Sequence, residues 1–226
     1  MAVGDAVPGW VPRPRPEPVR LEGRYVDLDP LSSAHYADLL ATTCGPDDDG
    51  LWTYRPVDRP TSLATLWMHL AAIVDSPTDV SFALVPREGP SAGRAAGVAS
   101  YLRIEPAHGQ VEVGGILLGA GLRRTRAGTE AIHLLMRHAL DDLGYRRFEW
   151  KCDSLNEPSR HAAARLGFTP EGTFRNHMVV KGRNRDTDWF SVTDAEWPAV
   201  RARHEAWLDP ANFDEAGQQR TALARD

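Results

Sequence analysis

Arg123, Arg124 and Arg126 crowd into the segment RRTRAGTEA, residues 123–131, between a strand-like run and a strongly amphipathic helical run. A helix that starts there leaves its first backbone N–H groups without intrahelical acceptors and carries roughly half a unit of positive charge at that end. Both features attract phosphate, so Arg123, Arg124, Thr125, Arg126, Ala127, Gly128 and Thr129 read as a polyphosphate-binding turn. The plain alternative is a solvated basic loop that merely begins a helix. Other reactive residue types are sparse. The eight histidines show no metal-ligand spacing, no Ser-His-Asp arrangement follows from the spacing, and no metal is expected. Cys44 and Cys152 are too few for a disulfide framework or a structural zinc site. They read as small, buried or half-buried side chains in a reducing cytoplasm.

A chain of 226 residues with 42% hydrophobic and 25% charged residues can bury a sizeable core, in one large domain or two small ones. The net charge of −5, with basic residues local rather than widespread, argues against nucleic-acid binding. No apolar run is long enough to cross a bilayer, and the N-terminus lacks a signal pattern.

The elements that must position the turn follow from periodicity and punctuation. Residues 8–18 hold five prolines, so 1–18 reads as an extended arm that lies along the domain or packs against a partner chain, as in a homodimer. Residues 19–28 alternate as a strand or a hairpin closed at Glu22–Gly23, and Ser32 or Ser33 caps a helix to about 43. A helix over 61–74 carries Leu63, Leu66, Leu70 and Ile73 on one face. Three strands are expected at 80–85, 95–104 and 110–118. After the arginine-rich turn, Ile132, Leu135, Met136, Ala139, Leu140 and Leu143 form a helical stripe that Gly144 ends. A strand at 147–152 precedes a helix at 157–166 with Pro158 in its first turn and Gly167 past its end. Strands at 174–181 and 187–192 flank a turn at 182–185, a helix covers 197–207, and a tail covers 209–226, its last fifteen or so residues expected to fray. The order describes an α/β (α+β) body over 19–208 with a single mixed sheet of about six to seven strands flanked by helices.

This order, with three segments, resembles the GNAT acyltransferase superfamily, and within it the ribosomal-protein N-terminal acetyltransferase branch (RimJ/RimL type). EVGGIL at 112–117 resembles that branch's fourth strand. RRTRAGTEA resembles its acyl-CoA pyrophosphate loop, and NEPSRHAAARLGF at 156–168 its Asn-x-x-Ser helix start with a Leu-Gly-Phe end. The loop departs at one position: Arg126 stands where glycine is usual, so its side chain must point away or grip a phosphate itself.

The resemblance implies acetyl-CoA, or another acyl-CoA, as donor and an amine as acceptor. It puts the thioester carbonyl beside Ile116, Leu117 and Leu118, whose free N–H groups would stabilise developing negative charge. Gly114 and Gly115 would ease a bulge there, or else mark a tight packing point. It makes Glu112 the candidate base, the other reading being a carboxylate satisfied by a nearby arginine. Asn156 would bind the pantetheine arm and Ser159 would donate to the leaving thiolate; without the resemblance they are a helix cap and a first-turn residue. Glu130 reads as a first-turn complement to the helix N-terminus. Trp52, Tyr54 and Tyr101 are the candidate acceptor-binding residues, with Trp150 and His177 also on or near strands; the bland reading of all five is core. An α-amine near pKa 7.8 costs only about 1 kcal/mol to deprotonate at pH 7, against roughly 4.6 for a lysine. The expected function is therefore transfer of an acetyl group to a primary amine, a protein N-terminus or a small molecule, by direct attack. The competing readings are another donor such as succinyl-CoA, a non-catalytic acyl-CoA sensor, and an interaction protein that uses the proline-rich arm.

Overall fold

Alternating apolar and polar residues between 80 and 118 build three long antiparallel strands: β3 (Val80–Pro86), β4 (Gly97–Glu105) and β5 (Gln110–Leu118). They are preceded by β1 (Leu21–Glu22) and β2 (Val26–Pro30) and followed by β6 (Arg147–Asp153), β7 (Thr169–Val180) and β8 (Arg183–Thr193). The computed structural model describes residues 3–223, and in it all eight strands form one sheet in the order β1-β2-β3-β4-β5-β6-β8-β7. Every pairing is antiparallel except β5 with β6. The sheet is thus mixed and flanked by helices as the periodicity implies, but it has eight strands rather than six to seven. The extra one is the two-residue β1, too short to show a period.

Helices cover both faces. α1 (Tyr36–Thr43), the single turn α2 (Asp49–Trp52) and α3 (Leu63–Val74) pack on one side through Leu39, Trp52, Leu66 and Leu70. α4 (Arg126–Arg137), α5 (Glu157–Arg165) and α6 (Trp197–Leu208) pack on the other through Ile132, Leu135, Ala163 and Val200. Each such aliphatic side chain, fully buried, contributes about 1.5–3 kcal/mol. The second helix departs from its sequence pattern at Leu63, which sits just after the Ser62 cap and stays exposed. The stripe after α4 continues as a π-helical turn, His138–Asp142, where Leu143 N–H reaches back to the His138 carbonyl.

Two boundaries differ from expectation. The last hairpin turns at Lys181 and Gly182, both at positive φ, rather than over 182–185, which lengthens both strands. The expected fraying does not hold for the described tail: Phe213 and Leu223 are buried in the α4–α6 core, and Phe213 stacks edge-on against Trp207. The arm lies along the domain. Trp10 Nε1 donates to the Ala107 carbonyl at 3.0 Å, Arg13 N–H to Pro106 at 3.0 Å, and Arg15 to the carbonyls of Pro77 and Thr78.

His133 on α4 and His204 on α6 are buried 5.5 Å apart. Burial lowers their pKa values from 6.5 to about 4 and about 3. The unfolded chain therefore binds more protons than the fold below pH 6.5, and the stability present above that pH is lost as pH falls toward 4. Melting temperature is expected to drop on acidification through this window, and the drop to be shallower in His204→Gln; equal slopes for the two proteins would refute the assignment.

Candidate active site

The parallel pair β5 and β6 is joined only from Gln110–Arg147 to Val113–Trp150. Beyond that β5 stays with β4 and β6 stays with β8, so the two strands part at their carboxyl ends. The edge of β5 from Gly114 to Leu118 that would face β6 has no strand partner. A bulge sharpens the divergence: Gly115 and Ile116 together face the single residue Ala99, and Gly115 takes φ +60. The bulge also reverses side-chain parity, so that Val111 and Val113 face α4, then Ile116 and Leu118 do, while Leu117 packs under α1 and α3. Crevices at the carboxyl ends of parallel strands are where α/β folds receive ligands.

Both helices that follow these strands begin beyond the strands' carboxyl ends, α4 after β5 and α5 after β6. At α4, Thr125 Oγ1 accepts the Gly128 N–H at 3.1 Å and Thr129 N–H reaches the Thr125 carbonyl at 3.2 Å. The N–H groups of Arg124, Arg126 and Ala127 have no acceptor among the described residues. A Cβ at Gly128 would collide with the Leu122 carbonyl, so glycine is needed for the turn to fold back on the helix. Arg123 and Arg124 are exposed and form no ion pair with a described residue. Arg126 resolves its two readings by pointing away: its guanidinium grips Glu88 with both arms, Nη2 to Oε2 at 2.6 Å, and lies over the rings of Tyr25 and Phe213. Its side chain therefore pins the β2 end of the sheet and the tail, and only its backbone faces the crevice. Glu130 is likewise occupied, accepting the N–H groups of Arg24, Tyr25 and Val26.

At α5, Asn156 Oδ1 accepts the Ser159 N–H at 3.2 Å. Ser159 Oγ accepts from Trp150 Nε1 at 3.1 Å and lies beside the Cys152 thiol. Accepting from Trp150 leaves the Ser159 hydroxyl proton free to be donated elsewhere.

Glu112 sits 1% exposed on the sheet face that carries α1–α3 at its other end. Its Oε2 is held by Arg103 Nε at 2.7 Å and by Lys151 Nζ at 3.3 Å. Arg103 continues to Glu149 at 2.6 Å, and Glu149 to Arg147 at 2.6 Å. Burial raises the Glu112 pKa, and the two cations only partly counter it. A second irregularity in the β4–β5 pairing, with Arg103 at φ +44, aims that guanidinium inward, and the missing side chain of Gly114 leaves room for the carboxyl.

Of the acceptor candidates, Tyr54 borders the crevice: its OH donates to the Leu155 carbonyl at 2.7 Å, joining the loop after α2 to the start of α5. Tyr101 does not. It is fully buried on the opposite face, donating to the Leu135 carbonyl at 2.7 Å and stacking on His138. Trp52 is also core, 1% exposed with Nε1 bonded to the Thr43 carbonyl, and only its backbone oxygen reaches outward, to Lys181. Trp150 packs on Phe168 in the core. His177 stands exposed on β7 against Phe174, facing Trp189. Strand aromatics are split by face, which a lone sequence position does not reveal. The sequence reading missed Arg55, Arg103 and Lys151; nothing in their spacing marks them, because a loop, a bulge in the β4–β5 pairing and the register of β6 against β5 bring them in.

The sequence profile of the acetyltransferase (GNAT) domain family matches residues 26–169. This chain belongs to the GNAT family. As a member it is an acyl-CoA-dependent N-acetyltransferase, with acetyl-CoA as its cofactor, that carries an acyl group to an amine. Solved GNAT structures include a GCN5-related N-acetyltransferase from Brucella melitensis, 45% identical over 96% of this chain and 97% of that one, at a TM-score of 0.92. A probable acetyltransferase from Chromobacterium violaceum is 36% identical over 88% and 98%, at 0.80. A spermidine N-acetyltransferase from Vibrio cholerae, solved with CoA and spermine, shares the fold at 12% identity over 78% and 99%, at 0.61. No protein of curated function matches the chain. Among the described residues of this GNAT protein no helix is long and apolar enough to cross a membrane, and no cluster of metal-ligating side chains occurs.

Exposure separates the arginines of the turn. Arg124→Ala is expected to weaken CoA binding about fivefold or more, less so at high salt. Arg126→Ala is expected to lower melting temperature instead, with CoA affinity within about twofold of the parent, because its charge is spent on Glu88. Calorimetry and thermal melts on the two variants check this; the reverse pattern would show Arg126 to be the phosphate ligand.

Proposed function

We propose that this GNAT protein transfers an acetyl group from acetyl-CoA to a primary amine, a protein N-terminus or a small-molecule amine, by direct attack. The observation that carries the reading is the parting of β5 from β6 beyond Val113 with the bulge at Gly115. Bound there, the thioester supplies an electrophilic carbon and a thiolate leaving group. The N–H groups of Ile116 and Leu118, on the β5 edge that has no strand partner, bear the developing charge on the carbonyl oxygen. The turn from Arg123 to Thr129 takes the diphosphate through its free N–H groups and the exposed Arg123 and Arg124. Asn156 lies along the pantetheine arm, and Ser159 donates to the departing sulfur.

Glu112 takes the amine proton through a water. Its raised pKa brings it nearer to that of an α-amine, and the Lys151 and Arg103 cations keep the buried carboxylate tolerable. Tyr54 and His177 flank the approach. The ribosomal-protein acetyltransferase branch and a peptide N-terminus as acceptor are supported by the EVGGIL, RRTRAGTEA and NEPSRHAAARLGF matches; the two free, buried thiols suit a reducing cytoplasm. The arm is held to the β4–β5 turn through Trp10 and Arg13.

Thiol release from acetyl-CoA over a panel of amines tests the proposal, and CoA binding without turnover on any amine would make the protein a sensor. Glu112→Gln is expected to lower kcat by roughly 10²-fold and flatten the acid limb of the pH profile. An unchanged profile would confine Glu112 to the ion-pair network. Ser159→Ala is expected to lower kcat roughly tenfold with little change in CoA affinity.

A further inference from the structure

Arg55, in the loop after α2, has no part in the scheme above, yet it reaches the bulge itself. Its Nη1 donates to the carbonyl oxygens of Gly115 at 3.2 Å and Ile116 at 3.0 Å. The loop that carries it is tied down on both sides of the crevice, by Tyr54 to Leu155 and by Lys181 to the Trp52 carbonyl and Asp58. Its neighbour Arg59 is paired with Asp49. Arg55 has no acidic partner among the described residues, its Nε–H is shielded from solvent without an acceptor, and its Nη2 makes no hydrogen bond to a described residue. The groups around it are the Trp52 ring at 5.3 Å, the Cys44 thiol and the His69 imidazole, and none of them is anionic at neutral pH. Burial lowers the Arg55 pKa only to about 10, so the cation persists.

Holding two backbone oxygens uses one corner of the guanidinium. What remains open is Nη2, which can meet a carboxylate oxygen in a charge-assisted hydrogen bond, while the covered Nε–H beside it stays unpaired. A half-buried cation without a counter-charge is costly, and a ligand that brings the charge offsets the cost. We propose that Arg55 is a carboxylate receptor beside the reacting carbon, so that one of the two substrates carries a carboxylate next to the bond being made. That carboxylate is either the far end of a dicarboxylic acyl group on the donor or the α-carboxylate of an amine acceptor. The proposal rests on the reading of residues 115–118 as the thioester strand. In either case the carboxylate is a spectator: the N–C bond forms, the C–S bond breaks, and the proton lost by the amine balances the thiolate released.

The test has two arms, each run on the parent protein, Arg55→Gln and Arg55→Lys. The donor arm compares the Kd of succinyl-CoA with that of acetyl-CoA by calorimetry. The acceptor arm compares initial thiol release from acetyl-CoA with glycine and with glycinamide. The parent is expected to favour the carboxylate-bearing member of one pair, and that preference to fall about tenfold or more in Arg55→Gln and less in Arg55→Lys. The arm that moves names the source. A parent without preference on either arm, or a preference unchanged within about twofold in Arg55→Gln, overturns the proposal and leaves Arg55 as a strut on β5. A parent that binds neither thioester would instead sink the thioester-strand reading beneath it.

Discussion

Two neighbouring parallel strands that stop bonding to each other organise this molecule. A buried strand edge normally completes its ladder, since an unpaired peptide group in the interior costs about as much as a lost hydrogen bond. Here β5 and β6 pair over only four residues each and then follow different neighbours. The edge left over is tolerable only if something polar visits it. The two helices that leave these strands both start beyond the strands' carboxyl ends, so their unpaired N–H groups and positive ends lie at the same end of the pair. The crevice is therefore an anion-friendly gap made by backbone, with side chains refining it.

Charge is arranged around that gap in two unlike ways. Along β4, β5 and β6, Arg103, Lys151 and Arg147 alternate with Glu112, Glu149 and, further out, Glu171, each carboxylate touching a cation within 3.3 Å. Such a chain offsets the desolvation of its members, and it makes each of them rigid. Around the turn before α4, by contrast, Arg123 and Arg124 remain without ion-pair partners among the described residues, while Arg126 is consumed by Glu88. Closed networks hold shape, whereas open cations remain available to an anion. The same distinction sets Arg55, which has no counter-charge, apart from Arg59 in its own loop.

Much of the frame and one half of the site could be read from residue order. The amphipathic stripe of α4, the Pro158 and Gly167 bracket around α5, and the alternation along 80–118 are local signals whose physics is complete within a dozen residues. Glu130, expected to complement the helix start, lies past the first turn of α4 and instead holds the N–H groups of Arg24, Tyr25 and Val26, which no local pattern shows. What could not be read depends on which face of the sheet a side chain meets. Tyr101 and Glu112 lie on adjacent, paired strands, and one is sealed under α4 while the other is buried on the opposite face against Arg103 and Lys151.

The sequence by itself determined the succession of strands and helices, the glycines that permit the bulge and the turn, and the helix start with its free N–H groups, because each rests on conformational preferences of a few consecutive residues. Only the tertiary structure decided that Arg126 would turn to Glu88, that Trp52 would be core, and that Arg55, Arg103 and Lys151 would meet β5. Those partners lie between nine and more than sixty residues apart in the chain. A bulge that shifts register by one residue reverses which side chains face inward, and a loop's landing place is set by everything it packs against, so no local pattern encodes either.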